Sequence, residues 1–123
     1  MPDANKPSGR LTRRQGIRDH FDLELAAGEI HDYGVELKQG VKVAVHLNVS
    51  QGANIDFFVM DGANLSKFRR GAAFEYDIDN SLTQVRFIDM RLVLPPGRQH
   101  FVIKNSSGFE SSKVSFGFAA PVD

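Results

Sequence analysis

The chain has no cysteine, no tryptophan, only two tyrosines, no excess of either charge and no long apolar run. Each shortage removes a class of function. Without cysteine there is no disulfide, no thiolate metal site and no Cys nucleophile. Lys plus Arg and Asp plus Glu number 15 each, so the formal charge is zero and gives no reason to expect nucleic acid or a membrane surface as partner. No stretch approaches the roughly 20 apolar residues needed to cross a bilayer, so no membrane span is expected. Arg13-Arg14 is not followed by the apolar segment of an export signal. The chain is therefore expected to be cytoplasmic if Met1 is its native start, and exported if a longer precursor has been trimmed.

What is present is enough for one core. The 123 residues are 41% apolar and 24% charged, and ten phenylalanines supply large core pieces with no polar atoms to satisfy. Residues 1–18 hold Leu11 and Ile17 as their sizeable apolar groups among Pro, Gly, Asn and Arg. Such a segment buries too little to offset the entropy of ordering it, so a flexible basic tail is expected there, with the domain proper over residues 19–120.

Beyond the tail, apolar and polar residues alternate with the period of half-buried strands. Phe21, Leu23 and Leu25 alternate with Asp22 and Glu24, then Tyr33, Val35 and Leu37 follow. Lys38-Gln39-Gly40 turns the chain into the longest alternation, Val41, Val43, Val45, Leu47 and Val49. After the Ser50 to Asn54 turn, Ile55 to Asp61 is apolar on both faces, as expected of a strand covered on both sides. These two runs are expected to form a hairpin at the heart of a meander. From Asn64 to Leu82 the alternation fails, and Leu65 and Phe68 suggest one helical turn, capped at Asn64 or Ser66 and ended by Gly71. So long a connection is expected to be a crossover between sheets or a binding loop.

Val85 to Leu94 changes phase near Asp89, the mark of a bulge or of a strand passing between sheets. Pro95-Pro96-Gly97 forces a turn, Phe101 and Ile103 open another strand, and Val114, Phe116 and Phe118 end the domain. The fold class is all-β: an antiparallel, jelly-roll-like sandwich of about seven or eight strands with one short helical turn.

The ordered segments FDLELAAGEIHDYGVELKQGVKVAVHLNVS, NIDFFVMDGANLSKF and VLPPGRQHFVIKNSS resemble the small β-sandwich modules of the GOLD and bacterial pre-peptidase C-terminal types. Tyr33, Gly40, Asp56, Asp61, Pro95, Gly97, Phe101 and Asn105 stand at the matching places. Those modules share no catalytic residues, so the resemblance implies an accessory or interaction module and no active site.

The residues carry the same expectation. The four histidines, His20, His31, His46 and His100, lack the HxH, HxxxH or HExxH spacing of a metal site, and His46 and His100 fall on polar parities expected to be exposed. Asp77 to Ser81 has oxygen ligands for Ca²⁺ but neither the glycine nor the trailing Glu of an EF-hand, so an acidic turn is expected, and no metal or cofactor. No serine sits in a GxSxG setting. Asp56 and Asp61 bracket a strand and are expected to serve turns or cross-strand bonds.

Lys67, Phe68, Arg69, Arg70, Phe74 and Tyr76 interleave cations with aromatics in the long connection, the composition of interface anchors. They are the candidate partner-binding residues. In the plainer alternative Phe68 and Phe74 tuck beneath the loop to cap the sandwich. The expected function is a non-catalytic module engaging a protein partner or another copy of itself. A carbohydrate- or Ca²⁺-binding accessory module of a secreted enzyme is the alternative, weakened for sugars by the shortage of Trp and Tyr.

Overall fold

The computed structural model describes residues 17–121. Eight strands run in chain order: β1 (Ile17–Leu25), β2 (Ile30–Leu37), β3 (Val41–Gly52), β4 (Ile55–Asp61), β5 (Leu82–Val85), β6 (Phe87–Leu94), β7 (Gly97–Lys104) and β8 (Ser112–Ala120). One helix, α1 (Gly62–Arg69), and a 3-10 turn (Ile78–Asn80) separate β4 from β5. The expected tail over residues 1–16 lies outside the described residues. Residues 17 and 18 already belong to β1, paired with Ala120 and Ala119, so the strand starts ahead of its alternating core.

The strands form two antiparallel four-stranded sheets, ordered β1-β8-β3-β6 and β2-β7-β4-β5. Pairs β1 with β8, β2 with β7, β3 with β6 and β4 with β5 are nested, as if one long hairpin had been rolled up. That is the jelly-roll order, and the expected all-β sandwich is present.

The expected hairpin and meander are not. β3 and β4 lie in opposite sheets, as do β1 and β2, so neither pair is joined as a hairpin. Alternation reports which face of a strand is buried; it does not report which strand lies beside it. The connection after β4 is likewise not a crossover, since β4 and β5 are neighbours in one sheet. The sheet change falls at Arg86, between β5 and β6, rather than at Asp89.

Inward residues of the two sheets interdigitate between the layers. Phe116 of β8 lies 6.1 Å from Phe57 of β4 and 5.7 Å from Phe101 of β7, ring centroid to ring centroid, so three fully buried rings join the sheets. Each such ring contributes roughly 1.5–3 kcal/mol by leaving water. A second, smaller cluster forms on the outside of the β2-β7-β4-β5 sheet, where Phe58, Met60 and Val102 are covered by Leu65, Phe68 and Phe74. β4 is thus buried on both faces, as its run of four apolar residues, Phe57 to Met60, predicts.

Candidate interaction surfaces

The two sheets differ in what covers their outer faces. Over β2-β7-β4-β5 lies the long connection, and its first turn begins where β4 ends. Asp61 caps α1: one carboxylate oxygen accepts from the Asn64 backbone N–H at 2.9 Å and its side-chain amide at 3.0 Å. The cap is therefore Asp61 and not Asn64 or Ser66; a strand residue caps a helix because the chain turns without a loop between them. Leu65 is buried against the sheet. Gly71, at φ +75°, then turns the chain back, with the Ala72 N–H donating to the Lys67 carbonyl. The Glu75 N–H donates to the Asn64 side-chain carbonyl at 2.8 Å and pins the returning segment to the helix.

All six candidate binding residues lie in this cover, but they divide. Phe68 lies 5.6 Å from Phe58 and 4.7 Å from Phe74, Tyr76 lies 5.1 Å from Phe58, and the Lys104 ammonium stands 5.5 Å from the centre of the Phe68 ring. Phe68 and Phe74 therefore face the sheet, half-buried, as the plainer alternative expects. Lys67 and Arg70 are exposed, with Arg70 donating to the Ser66 hydroxyl at 2.9 Å, and Tyr76 keeps 39% of its surface exposed. Arg69 is drawn back to the sheet by a salt bridge to Asp32 of β2.

The same carboxylate reaches His100 of β7, whose Nδ1 lies 3.0 Å from its other oxygen. His100 is buried, which corrects the expectation of an exposed strand histidine. Its neighbour across the sheet is Gly34, where an added Cβ would lie 2.9 Å from the imidazole; glycine leaves the ring room to lie over β2. Asp32 escaped notice in the sequence, where the available signal was a glycine inside a strand two positions on. His46 is in the other sheet and does not meet His100.

At one end of the sandwich the β7–β8 loop is held from inside. Asn105, fully buried, donates to the carbonyls of Leu25 and Glu110 and accepts from the Ser107 N–H at 3.0 Å. Asp56 receives the Gln84 N–H and the Ser106 hydroxyl, the cross-strand role expected of it. The loop tip carries Phe109, 91% exposed.

The outer face of β1-β8-β3-β6 has no such cover among the described residues. The His20 ring of β1 lies over Gly117 of β8, and beside it is a groove of about 460 Å³ lined by Asp22, Glu24, Ser50, Lys113 and Ser115. The Ser115 hydroxyl and His20 Nε2 meet there at 2.9 Å. Asp19, next to His20, directs its carboxylate elsewhere: it accepts from the His20 backbone N–H and bonds the Tyr33 hydroxyl, so it does not orient the imidazole as a triad would. Burial first, and then the bond to and charge of Asp19, raise the Tyr33 phenol above its ordinary value of 10.0.

At the edge of this sheet β6 turns Phe87 and Val93 outward, 57% and 61% exposed. Phe87 shares its parity with Asp89 and Arg91, the sequence signal that it faces water; the His46 ring packs edge-on to it at 5.3 Å. Among the described residues no group of three or more His, Asp and Glu is placed to hold a metal ion, and no helix is long and apolar enough to cross a membrane. No protein-family model matches the chain, and a search of curated proteins finds no match.

Proposed function

We propose that the chain is a non-catalytic jelly-roll module whose work is to bind another protein chain through its β1-β8-β3-β6 sheet, at the β6 edge. The observation that carries this is the pair Phe87 and Val93, large apolar side chains left more than half exposed on a strand that, among the described residues, has a neighbour on one side only. A strand edge with apolar side chains offers backbone partners and contact area together, without the ordering cost of a flexible loop. The motif order resembling GOLD and pre-peptidase modules supports the same reading, since those modules carry no shared catalytic residues. The aromatics of residues 67–76 support it less, because the fold uses them to cover its own sheet.

A photoreactive benzophenone side chain at position 93, in the full chain expressed in cells, tests this. A covalent adduct with a protein, absent when the probe replaces the still more exposed Ile78, is expected. No adduct at position 93, or equal labelling at both positions, overturns the reading.

A glycan-binding role is the second reading, favoured by the open groove, where Asp22, Glu24, Ser50, Lys113 and Ser115 bring hydrogen-bonding groups beside Leu23 and Val114. A rise in melting temperature with soluble oligosaccharides would support it, because a ligand bound to the native state alone must stabilise that state.

A further inference from the structure

We infer that the chain bound at the β6 edge is a second copy of this one, with the two β6 strands antiparallel about a two-fold axis at Met90, joining two sheets into one of eight strands. The inference rests on the interaction-module reading and adds to it the identity of the partner and the register.

The backbone sets the edge. The Val49 N–H donates to the Arg86 carbonyl at 2.7 Å, and the register pairs Met90 with Val45 and Ile88 with Leu47. In an antiparallel ladder alternate residues bond one neighbour, so the even-numbered residues of β6 serve β3. Phe87, Asp89, Arg91 and Val93 consequently aim their amides and carbonyls at the outer edge, where no strand lies among the described residues. Pro95, the next residue of that parity, has no N–H, so the ladder it could form ends with the strand. The paired stretch is residues 87–93.

The side chains of these four residues then select one register. A symmetric pairing centred on Met90 sets Phe87 opposite Val93 of the second copy and Asp89 opposite Arg91 of the second copy, each twice. Slipping by two residues in one direction sets Asp89 against itself; slipping the other way sets Arg91 against itself and brings Phe87 to the partner's Pro95. Like charges directly opposed are unfavourable and opposite charges favourable. A slip of one residue would set outward side chains against inward ones. The sequence F-x-D-x-R-x-V is thus complementary to itself when reversed, in the one alignment that leaves every outward position matched. Arg91 keeps an interaction within its own chain, and a guanidinium with five N–H donors has capacity for the partner's carboxylate as well. A two-fold axis also closes the assembly, so no fibre follows from an edge-to-edge contact of this kind.

The experiment is the solution mass of the full chain by light scattering and sedimentation across a concentration series, with two charge reversals and their combination. The wild type is expected to dimerise. Asp89→Arg and Arg91→Asp are each expected to weaken the dimer about tenfold or more, since each sets two like pairs face to face. The double variant restores both pairs in reversed sense and should dimerise like the wild type. Far-ultraviolet circular dichroism and melting confirm that the variants are folded, and Val93→Ser provides a neutral second disruption. A wild type that stays monomeric up to millimolar concentration, or a double variant no better than the singles, overturns the self-pairing. If the position 93 adduct then has the mass of this chain plus a different protein, the interaction-module reading survives without it.

Discussion

Nδ1 of His100 lies 3.0 Å from Oδ2 of Asp32, and the other oxygen of that carboxylate holds Arg69 of α1. One aspartate thus satisfies a buried imidazole on β7 and ties the helix to β2. Replacing Asp32 with alanine removes both contacts. Most of the cost arises at His100, left buried without its acceptor, because the Arg69 side chain is about half exposed and its pairing contributes little. The expected loss is about 1–3 kcal/mol in urea unfolding, accompanied by faster tryptic cleavage after Lys67, Arg69 or Arg70. An unchanged cleavage rate would mean that Leu65 and Phe68 alone hold the helix down.

The phenol of Tyr33 supplies an alkaline limit. Its folded-state value is raised above 10.0, so on titration the unfolded chain loses this proton first. Where the unfolded state binds fewer protons, stability falls with rising pH. The contribution is complete below pH 10.0 and is lost as pH climbs from there through the folded-state value. Tyr33→Phe should flatten that part of the stability curve between pH 9 and pH 11, measured by denaturant midpoints. A wild-type slope that persists in the variant would assign the loss to other groups.

Asn105→Ala and Phe109→Ser should separate sharply although four residues apart. The first leaves the buried Leu25 carbonyl, the partly buried Glu110 carbonyl and the Ser107 N–H without their partner and should cost about 2–4 kcal/mol. The second alters a side chain 91% exposed and should change stability by less than about 0.5 kcal/mol. Equilibrium denaturation of both variants checks the pair; similar costs would show that Phe109 has a contact that its exposure conceals.

At the start of α1, Asp61→Ala should cost about 1 kcal/mol, and Asp61→Ser much less, because serine also caps. Equal losses in thermal melts would show that the carboxylate acts by some means other than the bond to Asn64.

The amino-acid sequence by itself determined that the chain is an all-β sandwich, where most of its strands and turns fall, and that β4 would be covered on both faces. These are local properties. Period-two alternation follows from the geometry of one strand, and Pro95-Pro96-Gly97 acts through the dihedral angles of its own residues. The sequence also offered the plainer fate for Phe68 and Phe74.

Only the tertiary structure decided which strands are neighbours. Val41 to Asp61 has the pattern of a hairpin and is instead two strands in opposite layers, because the same alternation buries a face equally well beside its sequence neighbour or across the core from it. The partnership of Asp32, His100 and Arg69 was illegible for a related reason: each stands on a different element, and the groups are brought together by pairing β2 with β7 over Gly34. The edge of β6, unpaired among the described residues, belongs to the same class. Its residues spell a self-complementary stretch in the sequence, but that they stand at the end of a sheet follows from the rolled-up order of all eight strands, a long-range arrangement that no local pattern encodes.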